Sequence, residues 1–239
     1  GNEHVRSVNP VVGETNDGFH NYISQRPDQK ADVFKEITQL NSGPLAEGNV
    51  GAGTGTRCFG FKGGIGSSSR VLGKSQGAYT LGVLVQTNFG GVLSIMGVPV
   101  GEELDRESLS MADPFEADGS CMIIIATDAP LSARNLERLA KRAFLALGRV
   151  GSYMSNGSGD YAIAFSTNPA CRINNNEAKK TISVPELAND LMSPLFLAVV
   201  EATEEAIYNS LFMAEDMVGF QGHSVEALPI DRVLEIMKY

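Results

Sequence analysis

Apolar positions along the chain follow two rhythms. Near-continuous apolar runs of strand length occur at 79–87, 92–96, 121–127 and 161–165. The first, Tyr-Thr-Leu-Gly-Val-Leu-Val-Gln-Thr, predicts a strand buried on both faces. The turn Asn88-Phe89-Gly90-Gly91 after it predicts a hairpin with 92–96. Helical spacing governs most of the rest. Val33, Phe34, Ile37 and Leu40 predict a helix over about 28–41. Leu136, Leu139, Ala140, Ala143, Phe144 and Leu147 fall on one helical stripe closed by Gly148, with Arg and Lys on the other face. Ser193-Pro194 supplies cap and first-turn chemistry for a long helix ending near Gly219, with Leu195, Val199, Ala206 and Leu211 among its apolar positions. A short helix over about 231–238 closes the chain. Strands cluster with strands and the longer helices lie between or after them. That order predicts an α+β fold of layered sheets with helices outside, not alternating βαβ units.

Between 43 and 77 glycine interrupts both rhythms. Gly51-Ala52-Gly53-Thr54-Gly55 follows no clear strand and lacks the Gly-Lys-Ser/Thr ending of a phosphate loop. In Phe61-Lys62-Gly63-Gly64 the lysine precedes the glycines, the wrong order for that loop. Tight turns and close backbone approach around a site account better for these glycines. Downstream, 102–118 is acidic and irregular, with turn signals at Asp113-Pro114 and Asp118-Gly119. It reads as an exposed connection that can be cut.

The totals narrow the function. The 239 residues carry 43% apolar side chains, enough for a sizeable core. A net charge of −9 argues against a nucleic-acid partner, because phosphate contacts need clustered Lys and Arg. Lys179-Lys180 is the only adjacent basic pair outside the helical stretch 134–149, whose basic side is a solvated face. No run reaches the roughly 20 apolar residues of a membrane span. The beginning, Gly1-Asn2-Glu3-His4-Val5-Arg6, has no signal-peptide core. Cys58, Cys121 and Cys171 are scattered, as are His4, His20 and His223, so no metal, cofactor or disulfide framework is expected. These features predict a soluble, cytoplasmic protein.

The candidate chemistry centres on Asp118-Gly119-Ser120-Cys121, where a small flexible step opens into a strand. A turn before a buried strand is the plainest reading. Yet no histidine stands in a context that would build a Ser-His-Asp triad, and Gly-x-Ser-x-Gly is absent. A serine can instead use its own α-amino group as base, once the bond before it is cut. Gly119 is small enough to expose its carbonyl for that cut. Cys121 is intrinsically the better nucleophile, but adjacent strand side chains point to opposite faces, so only one of the pair can face a site. As a small buried hydrophobe Cys121 needs no other role.

Asp118-Gly119-Ser120, Ile124-Ile-Ala-Thr-Asp-Ala-Pro-Leu131 and Gly151-Ser-Tyr-Met-Ser-Asn-Gly-Ser-Gly-Asp160 resemble the DmpA-type β-aminopeptidases, or L-aminopeptidase/D-esterases. Pro10-Val-Val-Gly-Glu-Thr15, Gly48-Asn-Val-Gly-Ala-Gly-Thr-Gly55, Phe61-Lys-Gly-Gly-Ile-Gly66, Gly82-Val-Leu-Val-Gln-Thr-Asn88 and Ala202-Thr-Glu-Glu-Ala-Ile207 continue the match in family order. The resemblance implies an αββα sandwich, here without its usual N-terminal part. It also implies self-cleavage between Gly119 and Ser120 into subunits 1–119 and 120–239 that stay associated, and a larger assembly of such heterodimers. The implied activity removes N-terminal residues, β-amino acids included, from short peptides, amides or esters. Ser120 would be the nucleophile and its freed amine the base. Ser158 and Asp160 would orient that amine and relay the proton, and Asn88 would donate to the oxyanion. Glu14 is a candidate to hold the substrate ammonium. Where some members carry tyrosine, Phe19 stands here and cannot assist the oxyanion. Two other readings stay open: an acyltransferase of the ornithine acetyltransferase type, which uses threonine, and a catalytically silent remnant that binds small amines or amides or serves assembly.

Overall fold

The computed structural model describes residues 3, 5–25, 29–40, 42–104, 119–173 and 181–238. The predicted cuttable connection beyond residue 104, Asp118 included, and the Lys179-Lys180 pair lie outside them. In chain order the elements are α1 (Lys30–Thr38), β1 (Arg57–Cys58), β2 (Phe61–Lys62), β3 (Ile65–Val71), β4 (Thr80–Asn88), α2 (Val100–Glu103), β5 (Ser120–Thr127) and α3 (Ala133–Arg149). Then follow β6 (Tyr161–Ser166), α4 (Ser193–Phe212), β7 (Met217–Val218), β8 (Ser224–Val225) and α5 (Ile230–Ile236).

The fold is mixed α+β. Its main sheet has the order β3-β4-β5-β6, while β1-β2 and β7-β8 are two-stranded ladders. The first three strands run antiparallel and β6 lies parallel to β5. Helix α4 packs across β3 and β4, and α3 packs across β6 and α4. Leu81, Val83 and Val85 of β4 and Cys121, Ile123 and Ile125 of β5 form the core with Leu139, Ala143, Leu195, Val199 and Ile207 of these helices. Each fully buried Ile or Leu stabilises the fold by about 1.5–3 kcal/mol.

Strand β4 departs from the two-sided burial its composition predicts. Gly82 and Leu84 are only half-buried, so the helix-facing side is the dry one. On the opposite side the segment around residues 13–16 crosses the sheet: Thr15 accepts a hydrogen bond from Gln86 Nε2 at 2.8 Å and Gly13 packs against Met122.

The predicted hairpin is corrected. β4 pairs with β3 and β5, and residues 92–96 form no strand. Gly91, at φ 139°, turns the chain away toward the end of α3. There Val92 and Ser94 donate to the carbonyls of Gly151 and Val150 at 3.1 and 2.8 Å, and Leu93 and Ile95 still enter the core.

Strand β3 lies hidden in the glycine-rich stretch. Its run Gly66-Ser67-Ser68-Ser69-Arg70 carries no apolar rhythm because α4 passes directly over it. A Cβ on Gly66 would stand 2.6 Å from the Ser210 nitrogen. Ser68 and Arg70 then bond Glu205 of the same helix at 2.8 and 2.6 Å.

The helices sit close to their predicted spans, with three differences. α4 stops at Phe212 rather than near Gly219, and no side chain caps its start, although Pro194 occupies the first turn. α5 begins at Ile230 and ends at Ile236. The stripe Val33, Phe34 and Ile37 of α1 is 58–59% exposed among the described residues. By contrast α3 is capped as its sequence requires, with the Ser132 side chain accepting from Asn135 N.

Candidate active site

The antiparallel ladder of β4 and β5 ends with Asn88 opposite Ser120. That register places the last residue of one strand beside the first of the other. Ser120 and Cys121 diverge there as strand alternation requires: Cys121 is fully buried in the helix-facing core, and Ser120 lines a cavity of about 750 Å³. Burial pushes the Cys121 thiol well above its ordinary pKa, which denies it thiolate character.

Gly119 is held where a side chain would not fit, since a Cβ there would lie 2.6 Å from the Phe89 Cα. Its carbonyl oxygen accepts a hydrogen bond from the backbone N–H of Gly159 at 2.9 Å. Gly159 belongs to the loop that enters β6, and the parallel pairing of β5 with β6 brings that loop beside Ser120. In the same loop Ser158 Oγ donates to Asp160 Oδ2 at 2.7 Å. Asp160 Oδ1 is buried and has no hydrogen-bond partner among the described residues. Burial raises the Asp160 pKa, against the opposing hydrogen bonds from Ser158 and the Cys121 backbone. Asp160 adjoins the Cys121 backbone, although neither it nor Ser158 is among the described residues that face the cavity.

The other predicted residues, Asn88, Glu14 and Phe19, all line the cavity. The Asn88 amide is oriented by its neighbours: Oδ1 accepts from Arg57 N at 3.0 Å and Nδ2 donates to Asn16 O at 2.9 Å. Glu14 is exposed. Phe19 is fixed in a stack, with the Arg57 guanidinium 4.1 Å over its ring and the His223 ring 4.3 Å away on a near-parallel plane. His20 meets it edge-on at 4.8 Å. Burial lowers the His20 pKa, and the nearby cations Arg57 and Lys62 lower it further.

Three features escaped the sequence. Arg57 and Lys62 lay in a stretch read only as turns, and the Gly159 amide is a backbone group with no sequence signal. Lys62 is fully buried, and its ammonium donates to the carbonyls of Gly53, Thr56 and Gly63 at 2.8, 2.9 and 2.7 Å. Burial lowers its pKa to about 8. With all three protons engaged, Lys62 ties the glycine-rich loop into the wall carrying Gly55 and Arg57. A lysine placed before its glycines is thus a staple for their carbonyls.

Among the described residues no three His, Cys, Asp or Glu side chains gather as a metal site, and no helix is long and apolar enough to cross a membrane. Among the described residues no histidine lines the cavity. The groups around Ser120 are a glycine amide, a Ser–Asp pair and an asparagine amide. This set can support acyl transfer to a serine that draws its base from elsewhere than imidazole.

Comparison with known proteins shows the family of the chain. A family profile described as Peptidase family S58 matches residues 1–225. Beta-peptidyl aminopeptidase BapA of Sphingosinicella microcystinivorans is 42% identical over 242 residues, covering 96% of this chain and 61% of that protein. The crystal structure of the PH0078 protein from Pyrococcus horikoshii OT3 superposes with a TM-score of 0.88 at 46% identity, covering 99% of this chain and 64% of that one. The L-aminopeptidase D-Ala-esterase/amidase of Ochrobactrum anthropi, described as a variant among the Ntn hydrolase fold, gives a TM-score of 0.82 at 37% identity, over 93% and 60%. The chain spans about three fifths of the length of the curated relatives it matches.

Proposed function

Because the chain belongs to peptidase family S58, we propose that it carries the catalytic centre of a serine aminopeptidase activated by self-cleavage between Gly119 and Ser120. The observation that carries this reading is the Gly119 carbonyl. It immediately precedes Ser120 in the chain, lies on a glycine that cannot be enlarged, and already receives the Gly159 N–H.

Attack of Ser120 Oγ on the Gly119 carbonyl carbon puts negative charge on the oxygen that Gly159 contacts. Collapse breaks the bond to Ser120 N, which takes up the hydroxyl proton, and leaves an ester. Water then hydrolyses the ester to a Gly119 carboxylate and a free Ser120 amine. In the second reaction that amine accepts the Oγ proton while Oγ attacks a substrate acyl carbon. The same proton passes to the departing amine, and water releases the acyl group to restore the serine.

The α-amine suits this task, with an ordinary pKa of about 7.7–8.0. In this reading Asp160 and the Ser158 hydroxyl bonded to it hold the new amine and relay its proton. Once Gly119 is released, the Gly159 amide becomes available to the substrate carbonyl, beside the Asn88 side chain. Glu14 in the cavity supplies a counter-charge for a substrate ammonium. The substrates proposed are short peptides, amides or esters with a free N-terminus, β-amino acid residues included.

Cleavage would leave the halves joined. β4 belongs to the N-terminal part and β5 to the C-terminal part, and their eight-residue register lies wholly outside the cut bond. Assembly of such heterodimers into a larger homo-oligomer belongs to the same proposal. Intact mass of the full-length protein under denaturing conditions tests the reading. A C-terminal component starting at Ser120 is expected. One uncut chain that nevertheless hydrolyses β-alanyl p-nitroanilide would sink the self-cleavage mechanism.

A further inference from the structure

We propose that the turn between β7 and β8, residues 219–223, positions Phe19 in the cavity wall, so that His223 governs substrate affinity without touching the reacting atoms. The inference rests on the aminopeptidase reading above and adds a positioning residue to it.

Glu14, Asn16, Asp17, Gly18 and Phe19 line the cavity that contains Ser120. At its start this stretch is held by β4: Thr15 accepts from Gln86, and the Asn16 carbonyl accepts from Asn88. At its end the turn between β7 and β8 takes hold. His223 Nδ1 donates to the Phe19 carbonyl at 2.6 Å, across 204 residues of sequence, and the two rings stack 4.3 Å apart at 19°. A carbonyl only accepts, so the proton sits on Nδ1. One residue on, the His20 carbonyl accepts from Phe220 N at 2.7 Å. A Cβ on Gly219 would stand 2.5 Å from that same oxygen, so the approach is too close for a side chain there. Tyr22 and Phe220 stack at 4.7 Å with their planes 3° apart.

The turn that makes these contacts is strained. Gln221 has φ 56° and the next residue, Gly222, φ 81°. Left-handed backbone is unfavourable for glutamine and persists where the surroundings hold it, which is common at functional sites. Cleavage before Ser120 would place this turn in the C-terminal part and Phe19 in the N-terminal part. His223 then fixes a wall that its own part does not supply. The Phe19 ring has no proton to give, so it serves the substrate by contact. Misplacing such a wall weakens ground state and transition state alike, which raises KM and leaves kcat. A fold weakened without any positioning role does the reverse: the active fraction and hence apparent kcat fall while KM stays.

The test compares hydrolysis of β-alanyl p-nitroanilide by the processed full-length wild type and three variants. His223→Ala loses both contacts, His223→Asn keeps a donor without the stacked ring, and His223→Phe keeps the ring without the donor. Loss of one hydrogen bond and one stacked pair predicts a rise in KM of about tenfold in His223→Ala, with the other two variants between it and the wild type. A KM within about twofold of the wild type in His223→Ala, whatever happens to kcat, overturns the inference alone. If His223→Ala does not fold, raised KM in His223→Asn and His223→Phe supports the inference, and wild-type KM in both overturns it. If none of the three gives processed protein, the turn serves folding and the inference is overturned. A processed wild type that does not hydrolyse the anilide overturns the aminopeptidase reading and this inference with it.

Discussion

The backbone N–H of Gly159 donates to the carbonyl oxygen of Gly119 at 2.9 Å, so the bond before Ser120 carries a hydrogen-bond donor on the atom that would become charged if that serine attacked it. Proline at 159 would remove this donor, and alanine would not. A Cβ at 159 meets nothing closer than 3.5 Å, so alanine fits. Losing one such donor slows the step by about 10²–10³-fold. Gly159→Pro should therefore accumulate uncut chain over hours while Gly159→Ala processes like the wild type, as followed by mass spectrometry.

Substituting the adjacent pair should separate their roles. Ser120→Ala is expected to block cleavage and to lower activity on the order of 10⁶-fold, as for loss of a serine nucleophile. Cys121→Ala should process and turn over substrate, with a cost of about 1 kcal/mol in stability from its buried position. If Cys121→Ala stays uncut and Ser120→Ala does not, the nucleophile moves by one residue.

Asp160 should set the acid limb of the activity profile. Its pKa is raised in the folded protein, chiefly by burial, so it protonates at a higher pH than an ordinary aspartate. If Asp160 holds the Ser120 amine as proposed, protonation removes that charge, and kcat/KM should fall as pH drops through that raised value. The stability effect has the opposite sign. Between the unfolded and the raised folded pKa the native state holds more protons, so Asp160 favours folding below this window and that contribution is lost as pH rises through it. Asp160→Asn should abolish both slopes. A profile unchanged in the variant would remove Asp160 from the mechanism.

Lys62→Met tests the staple under the glycine-rich loop. The substitution leaves the carbonyls of Gly53, Thr56 and Gly63 without the ammonium that serves all three. At about 1–3 kcal/mol for each buried acceptor left unsatisfied, the loss should be about 3 kcal/mol or more by denaturant titration. A change below roughly 0.5 kcal/mol, the range of ordinary surface substitutions, would show that the loop keeps its shape without Lys62.

The local pattern determined a good part of this protein. The stripe from Leu136 to Leu147, the apolar runs of β4, β5 and β6 and the small residue at Gly119 were legible because period and steric size are properties of neighbours in sequence. The choice of Ser120 over Cys121 to face the cavity came from strand alternation, which is equally local. Family order of the motifs gathered Asn88, Glu14 and Phe19 to the cavity in advance, although no spacing in the chain by itself brings them together.

What only the tertiary structure decided are the contacts made over long stretches of chain. Strand β3 has no apolar rhythm to reveal it, because α4 lies too close for side chains at Gly66 and supplies Glu205 to its polar ones. The run at 92–96 has strand composition, yet its hydrogen-bond partners are the carbonyls after α3, reached through the turn at Gly91. Lys62 reads as a misplaced phosphate-loop lysine until three folded-back carbonyls surround it. Arg57 reads as one more polar residue until Phe19 lies beneath it. Hydrophobic period and steric size act between near neighbours and can be read along the chain. Hydrogen-bond acceptors, stacked rings and compensating charges come from segments that meet only when the core closes, and they complete the surroundings of Ser120.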